Sequence, residues 1–157
     1  MEICILSVGK ISSPWISQGL SLFETRLPHY IKFNTIIIPD IKNSKALSKE
    51  LIKEEEGKLI LGNVLPSDQV VLMDEKGKEK TSREFADWIQ KMMNAGLKRL
   101  LFVIGGPFGF AQSVYNRADA KISLSAMTFT HEMAKLILTE QIYRAMTILR
   151  GEPYHHD

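Results

Sequence analysis

Three segments of this 157-residue chain carry residue types that could do chemistry. In the first, the apolar run Arg99–Ile104 (RLLFVI) passes directly into Gly105, Gly106, Pro107, Phe108 and Gly109. Glycines at the end of a buried strand stand at the carboxyl edge of a sheet, where open α/β folds bind ligands. Without a Cβ, Gly105 and Gly106 would let backbone approach a ligand closely. The spacing is not GxGxxG, and no lysine follows as in a phosphate-binding P-loop. Dinucleotides and nucleoside triphosphates are therefore poor fits, and a tight turn that needs glycine is the plain structural alternative.

The second segment, Leu124–Phe129 (LSAMTF), is apolar with two hydroxyls and no charge. Such a loop can offer backbone amides to an adenine while its side chains wall a pocket, and it can equally be ordinary core. The third is the terminal RGEPYHHD from Arg150. Arg150 and the histidines could meet phosphate, and Tyr154 could stack on a base. A frayed terminus is the competing reading. His155, His156 and Asp157 could be called a metal site, but adjacent histidines rarely point the same way and no second cluster supports them, so no metal is expected. Glu140 and Arg144 stand at i, i+4 in the order that favours a helical ion pair. Arg144 could face RNA instead.

The elements that must position these residues alternate. Glu2–Val8 reads as a strand ended by Gly9. Pro14 opens a helix that Pro28 would end, with Trp15, Gly19, Leu22, Phe23 and Leu27 near one side. Phe33–Ile38 reads as a buried strand. Asn43 or Ser44 would cap the next helix, with Leu47, Leu51, Lys58 and Leu59 near one face and mixed charges on the other. That pattern is a solvated helix face rather than a nucleic-acid patch. Gln69–Met73 is a third strand, followed by Asp74 and a turn around Gly77. Thr81 or Ser82 opens a helix carrying Phe85, Trp88, Ile89, Met92 and Met93 at helical spacing, and Gly96 ends it. A short helix falls within residues 110–120. His131–Leu149 is a long helix with two apolar stripes: Ala134, Leu138, Ile142, Ala145 and Leu149, and then Met133, Ile137 and Ile148. A helix apolar over so much of its girth is buried on two sides, the second against another chain. Together these make one domain over residues 1–157, α/β and Rossmann-like, with a mainly parallel sheet and helices on both faces.

Composition narrows the class further. One cysteine, Cys4, cannot form an internal disulfide. There is no secretory signal, and no apolar run approaches the ~20 residues of a membrane helix, so a cytoplasmic protein without membrane contact is expected. A net charge of +2 is a weak signal for nucleic acid.

Taken in order, VIGGPFG, SLSAMTFTHEMAKLILTEQIYRA and RGEPYHHD, with the opening ICILSVGK and the VLMDEKGK stretch, resemble one family over essentially the whole chain. It is the bacterial 23S ribosomal RNA pseudouridine N3-methyltransferases of the SPOUT superfamily. The resemblance implies a parallel α/β sheet whose C-terminal part forms a deep trefoil knot, against the general rule that chains are unknotted. It also implies homodimers with S-adenosylmethionine held in the knot near the dimer interface, and methylation of N3 of a pseudouridine in the assembled ribosome. Carried over by motif, the cofactor positions are Met73, Gly105, Leu124, Ser125, Ala126, Met127, Thr128 and Phe129. Met73 stands where relatives often carry leucine, Phe108 where many carry a smaller or polar residue, and Thr130 replaces a common proline. On the resemblance, Arg144 would stabilise charge on the uracil oxygens, Tyr154 would position the base, and His155 would take the N3 proton, with His156 or Asp157 as alternatives. A nucleotide-binding protein, a non-catalytic ribosome-associated factor and a methyltransferase of another RNA are the remaining readings.

Overall fold

The computed structural model describes residues 1–156. Asp157, one of the alternative bases, lies outside the described residues. Five strands form one sheet: β1 (Glu2–Val8), β2 (Lys32–Ile38), β3 (Asp68–Glu79), β4 (Arg99–Ile104) and β5 (Ala120–Ser123). They are ordered β2-β1-β4-β3-β5, and every neighbouring pair is parallel. The helices are α1 (Pro14–Glu24), α2 (Lys49–Gly62), α3 (Ser82–Asn94), α4 (Gln112–Arg117) and α5 (His131–Leu149).

Period-two alternation sorts the strand side chains into two cores. Ile3, Ile5, Leu100, Phe102 and Ile104 face α3 and α5, against Phe85, Ile89, Leu138, Ile142 and Met146. Cys4, Leu6, Val8, Leu101 and Val103 face the other way, against Ile60 of α2, Val114 of α4 and Ala111 just before α4. Burial on both faces is why these strands read as unbroken apolar runs. Among the described residues, no helix is long and apolar enough to cross a membrane.

Where the sequence reading and the structure part, the cause is tertiary. The first helix stops at Glu24, and Leu27–His29 forms a separate 3-10 turn. Its buried residues are Ile16 and Leu20, whereas Trp15 is 60% exposed. β2 is an edge strand and only half-covered, and Ile37 on it is 47% exposed. Ser48, rather than Asn43 or Ser44, caps α2, its side chain accepting from the Leu51 amide. That helix buries Ile52, Glu56, Gly57 and Ile60, leaving Leu51 and Leu59 outside.

The region around Gly77 is not a strand-ending turn. β3 continues to Glu79, and its register against β5 jumps between Met73 and Lys78, both of which pair with Ile122. Residues 74–77 are the extra length of a bulge. A Cβ on Gly77 would lie 2.5 Å from the Ile122 carbonyl carbon, so only glycine lets β5 pack there. From β5 the chain returns past the ends of β3 and β4. It reaches β1, where His131 at the start of α5 lies beside Gly9.

Candidate functional site

Parallel strands end together, and here their ends make a cavity of about 830 Å³. Met73 pairs with Ile104, so Met73 and Gly105 sit side by side at the carboxyl edge. Both line the cavity, as do Leu124, Ser125, Met127, Thr128 and Phe129 from the loop after β5. Ala126 is in the same loop but is not part of the lining. The bulged residues Asp74, Glu75 and Lys76 form another wall, and Thr130, His131 and Ala134 close the side at the start of α5.

The walls are held in place locally. The Ser123 hydroxyl donates to the Ser125 carbonyl at 2.8 Å, and the Met127 amide donates to Ser125 Oγ at 3.0 Å, shaping the loop from within. The Tyr115 hydroxyl donates to Asp74 Oδ2. Burial first, and then the Asp74 carboxylate, push this phenol up to about 12, so it stays protonated and pins Asp74. Sequence reasoning missed Asp74, Tyr115 and His131 as lining residues. The only signal for Asp74 was its place directly after Met73, and none marked Tyr115.

The two glycines have a different local reason from the one the sequence suggested. A Cβ on Gly105 would lie 2.8 Å from the Phe110 ring, and one on Gly106 would lie 2.5 Å from Glu56 Oε1. Each is demanded by a protein neighbour: the Phe110 ring, which lines the cavity, and Glu56, which does not.

The second cluster is at the other end of α5. Arg144 bonds Glu140 through Nη2, and its Nη1 lies 3.3 Å from His155 Nδ1. Its guanidinium carbon sits 4.8 Å from the centroid of the Tyr154 ring. The Tyr154 hydroxyl donates to Glu140 Oε1 at 3.0 Å. Burial and this bond push the Tyr154 phenol above its ordinary value. A guanidinium only donates, so Nδ1 of His155 accepts, and a neutral ring carries its proton on Nε2. The tail is not frayed: Glu152 N donates to the Thr147 carbonyl at 2.9 Å, and Arg150 donates to the His29 carbonyl at 2.9 Å. His156 is exposed. Among the described residues no group of His, Cys, Asp and Glu could hold a metal ion.

Arg144, Tyr154 and His155 are therefore together, but none of them lines the cavity. From Ala134, the last lining residue of α5, the helix climbs about 15 Å to Arg144 at ~1.5 Å per residue. Within one chain the two clusters lie at opposite ends of a rigid rod. What the cavity alone can do is bind. Its volume lies in the range of small-molecule sites, and its walls combine apolar side chains with polar and charged groups that could set orientation.

Comparison with known proteins adds the family. Residues 1–155 match the family model described as "Predicted SPOUT methyltransferase". A protein of Christiangramia forsetii named "Ribosomal RNA large subunit methyltransferase H" is 54% identical over 156 residues, 99% of each chain. One of the same name from Parabacteroides distasonis is 52% identical over 157 residues, the whole of both chains. A third, from Cytophaga hutchinsonii, is 48% identical over 156 residues, 99% of this chain and 100% of that one.

Proposed function

Because the chain belongs to the SPOUT methyltransferase family, we propose that it is an S-adenosylmethionine-dependent methyltransferase acting on N3 of a pseudouridine in 23S ribosomal RNA of the assembled ribosome. The observation that carries this reading is the cavity at the ends of β3 and β4. It gathers Met73, Gly105 and all but one of residues 124–129, the set that the resemblance assigned to the cofactor.

The residues present fit that cofactor. Met73, Ile104, Leu124 and Phe129 supply apolar walls for an adenosyl group, and the carboxylates of Asp74 and Glu75 suit hydroxyls and cationic groups. When bound, S-adenosylmethionine supplies a methyl group made electrophilic by sulfonium sulfur. The protein must align N3 against that methyl group, exclude water and remove the N3 proton. Tyr154, held protonated, positions the pyrimidine by stacking. Arg144 turns from His155 to the uracil oxygens, where it stabilises the negative charge that develops as the proton leaves. His155 takes the proton.

The separation along α5 adds a requirement. If the Arg144–Tyr154–His155 cluster acts on a substrate held at the cavity, it must come from a second copy. An antiparallel pairing of two α5 helices sets the carboxyl end of each beside the cavity of the other. The half-buried Met133 and Ile137, which do not pack into the core, support such a face, whereas Ile148 of the same stripe packs against the core. The face is continued by Trp15 and Leu22 of α1, which are 60% and 46% exposed and flank Gly19, itself against Leu136. Within this reading, the crossing of the chain from β5 back to β1 is the part that forms the trefoil knot.

The test is methyl transfer followed by digestion of the RNA and identification of the product nucleoside. N3-methylpseudouridine is expected, and a methyl group on any other atom or base contradicts the reading. His155→Ala should cut turnover about 100-fold or more, at the low end of what a positioned base contributes, and leave cofactor affinity within about twofold. Equal loss of both would sink the base assignment.

A further inference from the structure

Glu56 is a carboxylate in the wrong place for a solvated helix face. It lies in the middle of α2, 5% exposed, between the buried positions Ile52 and Ile60. Its Oε2 has no hydrogen-bond partner among the described residues. Burial, and then the neighbouring Asp40, push its carboxyl above the usual range, while the Gly106 amide pulls the other way. A leucine at this position would avoid the cost of burying a polar group.

What the carboxylate does touch is the back of the cavity floor. A Cβ built on Gly106 would lie 2.5 and 2.6 Å from its two oxygens, so the carboxylate fills the space a side chain there would take, and the Gly106 amide donates to it. Gly106 lines the cavity and Glu56 does not. Gly105 is crowded instead by the Phe110 ring, which itself lines the cavity. The double-glycine turn is thus held at the cavity wall by one aromatic ring and from behind by one carboxyl group. We propose that Glu56 is a positioning residue, which holds the Gly105–Gly106 turn in its cofactor-binding shape through contact with the Gly106 backbone. The inference rests on the cofactor reading above.

The experiment titrates the full-length protein with S-adenosylmethionine by calorimetry, beside steady-state methyl transfer and thermal unfolding. Glu56→Gln keeps the size and an acceptor oxygen, and its affinity should stay within about threefold of wild type. Glu56→Ala removes the brace and should weaken binding about tenfold, while kcat at saturating cofactor stays within about twofold. If Glu56→Ala does not fold, Glu56→Asp draws the carboxylate back by one methylene and replaces it with the same expectation. Gly106→Ala drives a methyl group into the carboxylate and should also weaken binding about tenfold. The same substitution in the Glu56→Ala background should cost nothing further, because the space is already clear. Wild-type affinity in Glu56→Ala, losses that multiply in the double variant, or a loss confined to kcat would each overturn the inference. A wild-type protein that fails to bind the cofactor would overturn the cofactor reading, and this inference with it.

Discussion

At the scale of single residues, the chain places carboxylates where they hold backbone. Glu132, in the first turn of α5, accepts from the Ser12 amide at 2.8 Å, the Ser12 hydroxyl at 2.7 Å and the Ser13 amide at 3.2 Å. These donors precede α1, whose own cap Ser13 makes no side-chain hydrogen bond, so α5 supplies the acceptor that α1 lacks. The same bonds, led by the Ser12 hydroxyl, lower the Glu132 carboxyl from 4.5 to about 2. A folded-state value below the unfolded one means stabilisation that is complete above about 4.5 and lost as pH falls towards 2. Glu132→Gln should therefore flatten the dependence of the unfolding temperature on pH across that window. An unchanged slope in the variant would remove Glu132 as its source. None of this was legible in the sequence, because Ser12 and Glu132 are distant along the chain and their pairing follows only from the packing of α1 on α5.

At the scale of elements, β1, β4 and the two long apolar-patterned helices were legible, whereas the length of β3, the edge position of β2, the strand β5 and the faces of two other helices were not. β1, β4 and α5 stand at the residues their patterns indicate, since a run buried on both faces or bounded by a glycine leaves little choice of ends. In α3, Thr81 forms a full capping box with Glu84, and Phe85 and Ile89 are buried as their spacing predicts. Thr81→Ala should cost about 1 kcal/mol in denaturant unfolding; no change in the midpoint would mean that the box contributes nothing. α1 and α2 were misread for a common reason. Trp15, Leu22, Leu51 and Leu59 are apolar yet exposed, while Glu56 and Gly57 are buried, so hydrophobicity alone points to the wrong side. Gly57 is buried because α4 and its N-cap pack on it, a Cβ there meeting Ala111 at 3.0 Å and Val114 at 3.3 Å, and that contact depends on the fold as a whole. The cavity-lining loop after β5 was legible only through family resemblance, since an apolar loop and a piece of core share one composition.

At the scale of the whole molecule, the two ends of α5 carry the two halves of one proposed active site, and a rigid helix of 19 residues keeps them apart. An obligate pair of chains is therefore expected. Protein with His155→Ala lacks the base, and protein with Ser125→Arg has an obstructed cavity; each alone should be nearly inactive. Unfolded together and refolded, the mixed pairs should regain activity, because each contains one intact cavity facing one intact tail. If the site were complete within one chain, both protomers of the mixed pair would be defective and no activity would return. Trp15→Glu, on the face assigned to the second copy, should shift the protein towards monomer in light scattering and abolish transfer.

Methyl transfer to large-subunit RNA within the assembled ribosome is tested by supplying S-adenosylmethionine labelled in the methyl group. The purified protein would be given, in parallel, ribosomes lacking this methyl group, free large subunits and transfer RNA. Label in 23S ribosomal RNA, and only from the assembled ribosome, is the predicted result. Label in transfer RNA, or no label from a protein shown to bind the cofactor, would contradict it.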